Sequence, residues 1–161
     1  MTLSIRKIEP TDLETVISLI REFALFEDLS DVCEITAEKL SLAMFGDGAI
    51  LEGLLAFVDD APAGYALFFP NFSSFRGQRG LYLDDIFVRK EYRGQGIGEA
   101  LLKEIARISA SRGFERIDFL VLDWNKPAIR FYEKLGAVKD GDERHFKFTD
   151  DAFRRLAEPP A

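Results

Sequence analysis

Leu81-Tyr82-Leu83-Asp84-Asp85-Ile86-Phe87-Val88 runs on into Glu91-Tyr92-Arg93-Gly94-Gln95-Gly96-Ile97-Gly98. The first stretch reads as a strand. The second reads as a basic, glycine-rich turn that opens an amphipathic helix, because Ile97, Leu101, Ile105 and Ile108 recur at helical spacing. Alternating glycines leave consecutive backbone N–H groups open to approach, and the positive end of the helix dipole falls on the same spot. This is a phosphate cradle, and two carboxylates stand just upstream of it. One short stretch thus encodes a site for an anionic cofactor and a site that handles protons.

Upstream, Leu3–Ile8 alternates as a first strand. Thr11 reads as the cap of a helix, with Glu14 as its capping-box partner and Leu13, Val16, Ile17, Ile20, Phe23 and Ala24 at helical spacing. Thr36 opens a second, shorter helix that Gly46 closes. Residues 49–58 and 65–69 form a hairpin across the turn at 59–64, and residues 71–80 read as a polar loop. Downstream, residues 114–122 form a strand and Pro127 sits in the first turn of a helix that ends at Gly136. Residues 137–148 fit two last strands or a hairpin, and residues 150–156 a terminal turn of helix. The order βααβββαβαββ predicts one α/β (α+β) domain over residues 1–161 with a single mixed sheet.

A chain of 161 residues can bury its own core without disulfides or metals. The formal charge of −7 argues against a nucleic-acid partner, which attracts basic surfaces. No apolar run approaches the roughly 20 residues of a membrane span, and residues 1–6 lack the apolar core of a signal peptide. A cytoplasmic protein is expected. Cys33 is the only cysteine, which leaves no disulfide framework or thiolate cluster, and no metal is expected. Cys33 reads as an inert thiol and His145, the only histidine, as a surface or strand residue.

Three phosphate-binding patterns compete for the turn. A P-loop needs Lys-Ser/Thr after its last glycine, where Glu99-Ala100 stands. A dinucleotide fingerprint needs a small residue where this chain has Glu99 or Leu101. The third pattern, Arg/Gln-x-x-Gly-x-Gly/Ala, fits Arg93-Gly94-Gln95-Gly96-Ile97-Gly98 without a gap. Here the chain resembles the GNAT superfamily of acetyl-CoA-dependent N-acetyltransferases, and the segment Asp123–Ala137, with Asn125 and Tyr132, resembles that superfamily's later strand-to-helix segment. Residues 81–88, 21–27 and 121–125 look like the diamine acetyltransferase subfamily, which includes spermidine/spermine and thialysine N-ε-acetyltransferases. The similarity spans about Ile5 to Phe148. Two departures from the polyamine branch stand out: Ser73-Ser74-Phe75 replaces an acid and a Trp, and Asp142-Glu143-Arg144-His145 replaces a second Trp. The Ser-x-aromatic loop is closer to the thialysine branch, whose substrates are lysine-like amines.

The resemblance implies a mostly antiparallel sheet with a splayed central strand pair, acetyl-CoA as co-substrate, and a homodimer. It places Ile86, Phe87 and Val88, through their backbones, and Arg93, Gly94, Gln95, Gly96, Ile97, Gly98 and Glu99 on the cofactor, together with Asn125 and Ala128. Asn125 also reads as a plain helix cap. Tyr132 is the general-acid candidate for the departing sulfur, with a core tyrosine as the plainer alternative. Asp84 is the candidate for relaying the amine proton through water. Asp85, Glu27, Phe26 and Phe75 are candidate substrate contacts, although Glu27 also reads as a solvated helix end. Adjacent on a strand, Asp84 and Asp85 are expected to point to opposite faces. The chemistry is demanding: an alkylamine with pKa near 10.4 is neutral in only about one molecule in a few thousand at pH 7, so a proton must be removed before attack. The reading is acetyl transfer to a primary amine of a small lysine-like or diamine substrate, without nucleic acid or membrane. Acetylation of polyamines or of protein amines, and a non-catalytic CoA-binding module, are the alternatives.

Overall fold

Strand alternation builds a five-stranded sheet in the first 120 residues of the computed structural model, which describes residues 1–160. Its strands lie side by side in chain order: β1 (Leu3–Lys7), β2 (Glu52–Val58), β3 (Ala61–Ser73), β4 (Gln78–Val88) and β5 (Arg116–Phe119). The first three pairings are antiparallel and β4–β5 is parallel, so the sheet is mixed and mostly antiparallel. Three helices complete this unit: α1 (Leu13–Phe26), α2 (Ala37–Phe45) and α3 (Ile97–Ser111), the last being the crossover that a parallel pair requires. Alternate residues point to opposite faces. Leu54, Phe68, Leu81 and Leu83 are therefore buried with Ile97, Leu101 and Ile105 of α3. Leu55, Tyr65, Leu67 and Phe87 are buried with Val16, Ile17 and Leu19 of α1 and Leu40 of α2 on the other face.

Two local features position the site. Phe68 pairs with Leu83 and Leu67 with Asp85, which leaves Asp84 as an extra residue, a β-bulge in β4. The bulge shifts the phase of the strand: Leu81 and Leu83 face α3, Asp85 and Phe87 face α1, and Ile86 and Val88 return to the α3 side. The expected opposition of the two aspartates, read from simple alternation, does not apply at an inserted residue. In addition, β5 stops opposite Leu83 while β4 continues to Val88. Among the described residues, 84–88 therefore have a strand neighbour in β3 alone, because pairing with the edge strand β5 ends at Leu83.

The polar stretch 71–80 is not a loop. β3 and β4 pair through Asn71–Gly80, Phe72–Arg79 and Ser73–Gln78, and only residues 74–77 turn, with Gly77 at φ +62°. Its polarity reflects an exposed ladder end, not a missing ladder. Thr11 does not cap α1 either: a 3-10 turn at Pro10–Asp12 precedes the helix, and the Glu9 N–H donates to Asp12, which Arg6 grips at 2.7 and 2.9 Å. Thr36 does cap α2, accepting from the Lys39 N–H, and Gly46 ends it.

The remaining residues, from Val121, form a second compact unit with α4 (Lys126–Lys134) and α5 (Asp150–Ala157). The two strands expected over 137–148 are not formed. Val138 and Phe146 stay 87% and 84% exposed, and a mostly polar segment without a ladder partner has nothing to fix it as a strand. No helix among the described residues is long and apolar enough to cross a membrane.

Gly64 on β3 marks how tightly the end of β4 is held. A Cβ there would lie 2.5 Å from the Phe87 carbonyl oxygen and 3.2 Å from the Val88 Cα, both backbone atoms that cannot swing aside. Gly64→Ala is expected to cost about 1–3 kcal/mol. Chemical denaturation checks this: an unchanged midpoint would show that the strand pair yields freely at that point.

Candidate functional site

Three carboxylates gather where α1 ends and β4 bulges. Asp85 accepts a hydrogen bond from the Tyr65 hydroxyl at 2.7 Å, and its pKa is pushed up to about 6. Burial is the main cause; the Tyr65 bond works the other way by favouring the ionised form, and the charges of Asp84 and Glu27 raise it further. Asp84 keeps solvent contact at the bulge, and the partial burial of its carboxyl also raises its pKa. Glu27 caps the C-terminus of α1 and is raised by burial as well. Burial discourages the ionisation of all three, and at Asp85 the charges of the other two add to it, so a cation would relieve the site and Asp85 can take up a proton near neutral pH.

Aromatic side chains and an arginine fork fix that corner. Phe23 stacks on Phe87 with ring centroids 5.3 Å apart, and Phe26 lies 6.5 Å from the same ring. Arg89, directly after β4, holds Glu22 of α1 through Nε at 2.9 Å and Nη2 at 2.7 Å, and it donates to the Pro62 carbonyl at 2.9 Å. These contacts hold the end of α1, with Phe26 and Glu27, against β4. Phe75, by contrast, sits at the tip of the β3–β4 turn and is fully exposed, so the structure does not bring it to the acids.

The cradle follows the same strand. Gly94 and Gly96 take φ +74° and +78°, and a Cβ on either would meet no atom within 4 Å. Gly96 is the N-cap of α3, whose first turn holds Ile97, Gly98 and Glu99, and the first N–H groups of any α-helix lack intrahelical partners. An open concavity of backbone N–H groups at a helix N-terminus suits a pyrophosphate. Gln95 reaches back to the Glu91 carbonyl at 3.4 Å, and Glu99 pairs with Lys103 at 2.8 Å. The Arg93 guanidinium is placed differently from the expectation that it would add charge to the cradle. Its Nε donates to the Val88 carbonyl at 2.9 Å, and it lies over the rings of Phe26 at 4.5 Å and Phe87 at 5.5 Å. Ile86 and Val88 lie on the stretch of β4 beyond the end of β5.

In the second unit, Asn125 caps α4: its side-chain oxygen accepts from the Ala128 N–H at 3.3 Å. The cap role is thus filled, and the amide nitrogen keeps its own donors. Tyr132 lies on α4, half-buried, its ring 5.2 Å from that of Phe131. His145 is exposed. Cys33 is a partly buried free thiol whose charge would be felt by Tyr65.

Sequence reasoning missed Tyr65, Arg89 and Glu22. One signal was present for the first: the apolar pattern moves from odd positions, 81 and 83, to even ones, 86 and 88, which marks a bulge and places Asp85 on the face where Tyr65 lies.

Residues 19–137 match the model of the acetyltransferase (GNAT) family. Thialysine N-epsilon-acetyltransferase from Bos taurus is 37% identical, covering 95% of this chain and 96% of that one. L-ornithine N5-acetyltransferase from Arabidopsis thaliana is 41% identical over 61% of this chain and 43% of its own. Among solved structures, an integron cassette protein from the mobile metagenome of V. cholerae aligns with a TM-score of 0.79 at 22% identity over 99% of both chains. An aminoglycoside acetyltransferase from an uncultured soil metagenome, in complex with sisomicin, aligns at 0.78 with 19% identity, covering 92% of this chain and 97% of that one. The two structural likenesses speak to the fold.

Proposed function

The chain belongs to the acetyltransferase (GNAT) family and is an N-acetyltransferase, and on that premise we propose that it moves an acetyl group from acetyl-CoA directly to a primary amine of a small lysine-like or diamine substrate. The observation that carries this reading is the convergence of Glu27 and Asp84 on Asp85, on the strand that leads into the Gly94–Gly96 cradle. A buried carboxylate beside two further partly buried acids is the complement of an ammonium ion. The thialysine and ornithine enzymes similar to this chain support an amino-acid side-chain amine as its acceptor.

Acetyl-CoA supplies, when bound, an activated acyl carbonyl and a thiolate leaving group. The open N–H groups at Gly94, Gly96 and the first turn of α3 would hold its pyrophosphate, and the side of β4 without a strand neighbour at Ile86 and Val88 would hold its arm; Asn125 and Ala128 are further cofactor contacts implied by the family resemblance. Asp85 and Glu27 hold the incoming ammonium. Asp84, one methylene shorter than a glutamate and in contact with solvent, accepts the amine proton through water. Tyr132 donates a proton to the departing sulfur. The active form is a homodimer, a reading supported by the exposed apolar side chains of Val138, Phe146, Phe148, Phe153 and Leu156, which a partner would cover.

Calorimetry with acetyl-CoA and CoA, followed by CoA-release assays on thialysine, lysine, ornithine, putrescine, spermidine and amino-terminal peptides, tests the proposal. Binding without turnover on any amine would leave a CoA-binding module instead. A pH profile gives a second check. Protonation of Asp85 below its pKa of about 6 removes the charge that holds the ammonium, so log(kcat/KM) for the amine should gain an extra unit of slope below about pH 6. Asp85→Asn should lack that bend and show a raised amine KM at every pH. A bend that survives in Asp85→Asn belongs to another group.

A further inference from the structure

The Tyr65 hydroxyl is placed for a task that core packing does not require. Its ring is fully buried between the sheet and α1, 6.4 Å from the Phe87 ring, and a phenylalanine would fill the same space. The hydroxyl donates to Asp85 at 2.7 Å, a well-formed hydrogen bond to a carboxylate oxygen. The strand geometry makes this contact possible. Tyr65 pairs with Phe87, two residues beyond Asp85, and the inserted Asp84 turns Asp85 onto the Tyr65 face; without the bulge it would follow Leu81 and Leu83 toward α3.

We propose that Tyr65 is a positioning residue for amine recognition: its hydroxyl fixes the Asp85 carboxylate, in its ionised form, on the α1 side of β4 as the anchor for the substrate ammonium. This rests on the amine-acetyltransferase reading above. The groups around Asp85 show why such a device is needed. Asp84 from its own strand and Glu27 from the end of α1 both oppose its ionisation, and Cys33, from the stretch after the 3-10 turn at Ser30–Val32, acts on Tyr65. Both arginines of this corner are committed elsewhere: Arg89 to Glu22 and the Pro62 carbonyl, and Arg93 to the Val88 carbonyl and the faces of Phe26 and Phe87. Tyr65 is the neutral donor that keeps Asp85 charged in this surrounding. Burial and the Asp85 charge both push the Tyr65 pKa upward, so it remains a donor throughout the working pH range.

The test compares wild type, Tyr65→Phe, Asp85→Asn and the double variant. The Asp85 carboxyl is followed by 13C NMR titration of the protein without substrate. In Tyr65→Phe the midpoint should move upward by about half a pH unit or more, because the bond that favours the charged form is gone. With amine substrate near pH 7, KM should rise about three- to tenfold, kcat should stay within about twofold, and the acetyl-CoA Kd should not change. In the Asp85→Asn background the Tyr65 substitution should add nothing to KM. A Tyr65→Phe midpoint equal to wild type, or KM losses that simply multiply in the double variant, would overturn the proposal and leave Tyr65 a packing residue. The titration needs no substrate, so it decides the Tyr65–Asp85 linkage even if a wild-type chain that releases no CoA removes the acetyl-transfer reading.

Discussion

Tyr132→Phe should lower kcat about 100-fold, the smaller end of what a positioned general acid contributes, while acetyl-CoA and amine affinities stay near wild type. The substitution keeps the ring, so its packing against Phe131 on α4 survives and the thermal midpoint should move little. What the chemistry loses is the proton that Tyr132 is proposed to give to the departing thiolate. A CoA thiol is a moderate leaving group, and protonation matters most as its bond to the acyl carbon breaks, so the loss belongs in kcat and not in KM. Stopped assays at saturating amine and acetyl-CoA, with calorimetry on both variants, read the two effects separately. Wild-type turnover in Tyr132→Phe would remove this residue from the chemistry and make it a core tyrosine of α4.

The second large effect is expected at the cradle. Gly96 sits at φ +78° as the N-cap of α3, where a β-branched residue is strained and would disturb the turn that leads into the first-turn N–H groups. A Cβ there meets no atom within 4 Å, so Gly96→Val damages no packing, and its cost to the fold is the backbone term alone, about 1–2 kcal/mol. In a domain of this size that lowers the thermal midpoint by about 2–8 °C. Acetyl-CoA affinity should fall at least tenfold, about 1.4 kcal/mol, from the side chain added to the cradle and the strained turn that carries it. Isothermal titration measures it, and a wild-type Kd would place the pyrophosphate elsewhere. Gly64→Ala makes a useful contrast, since it strains β4 through a backbone collision and should lose stability before it loses cofactor affinity.

How far the sequence could be read follows from which residues answer to local physics. α3 was legible because Ile97, Leu101 and Ile105 return at helical spacing and all three are buried. The hairpin of β2 and β3 was legible from its apolar runs and polar turn. The extension of β3 and β4 through residues 71–80 was not, because a ladder exposed on its faces looks like a loop to any hydrophobicity argument. Residues 137–148 failed in the opposite sense: they were read as strands, yet they carry a polar run from Lys139 to His145 and find no ladder partner. In the site, Asp84 and Asp85 could be picked out, but their arrangement depends on a bulge that displaces the strand by one residue. Arg93 was read as part of the phosphate turn, as its neighbours suggest. Its guanidinium instead rests on Phe26, a residue distant in sequence that α1 delivers to the end of β4. That contact joins the cradle turn to the acid-bearing end of α1, a connection visible only once the sheet is assembled.

The most direct test of the account is to incubate the wild-type protein with acetyl-CoA and thialysine and identify the acetylated nitrogen of the product by NMR. The account predicts CoA release matched one for one by acetylation of the side-chain amine, with the α-amine untouched. No CoA release above the uncatalysed rate, or acetylation of the α-amine instead, would contradict it.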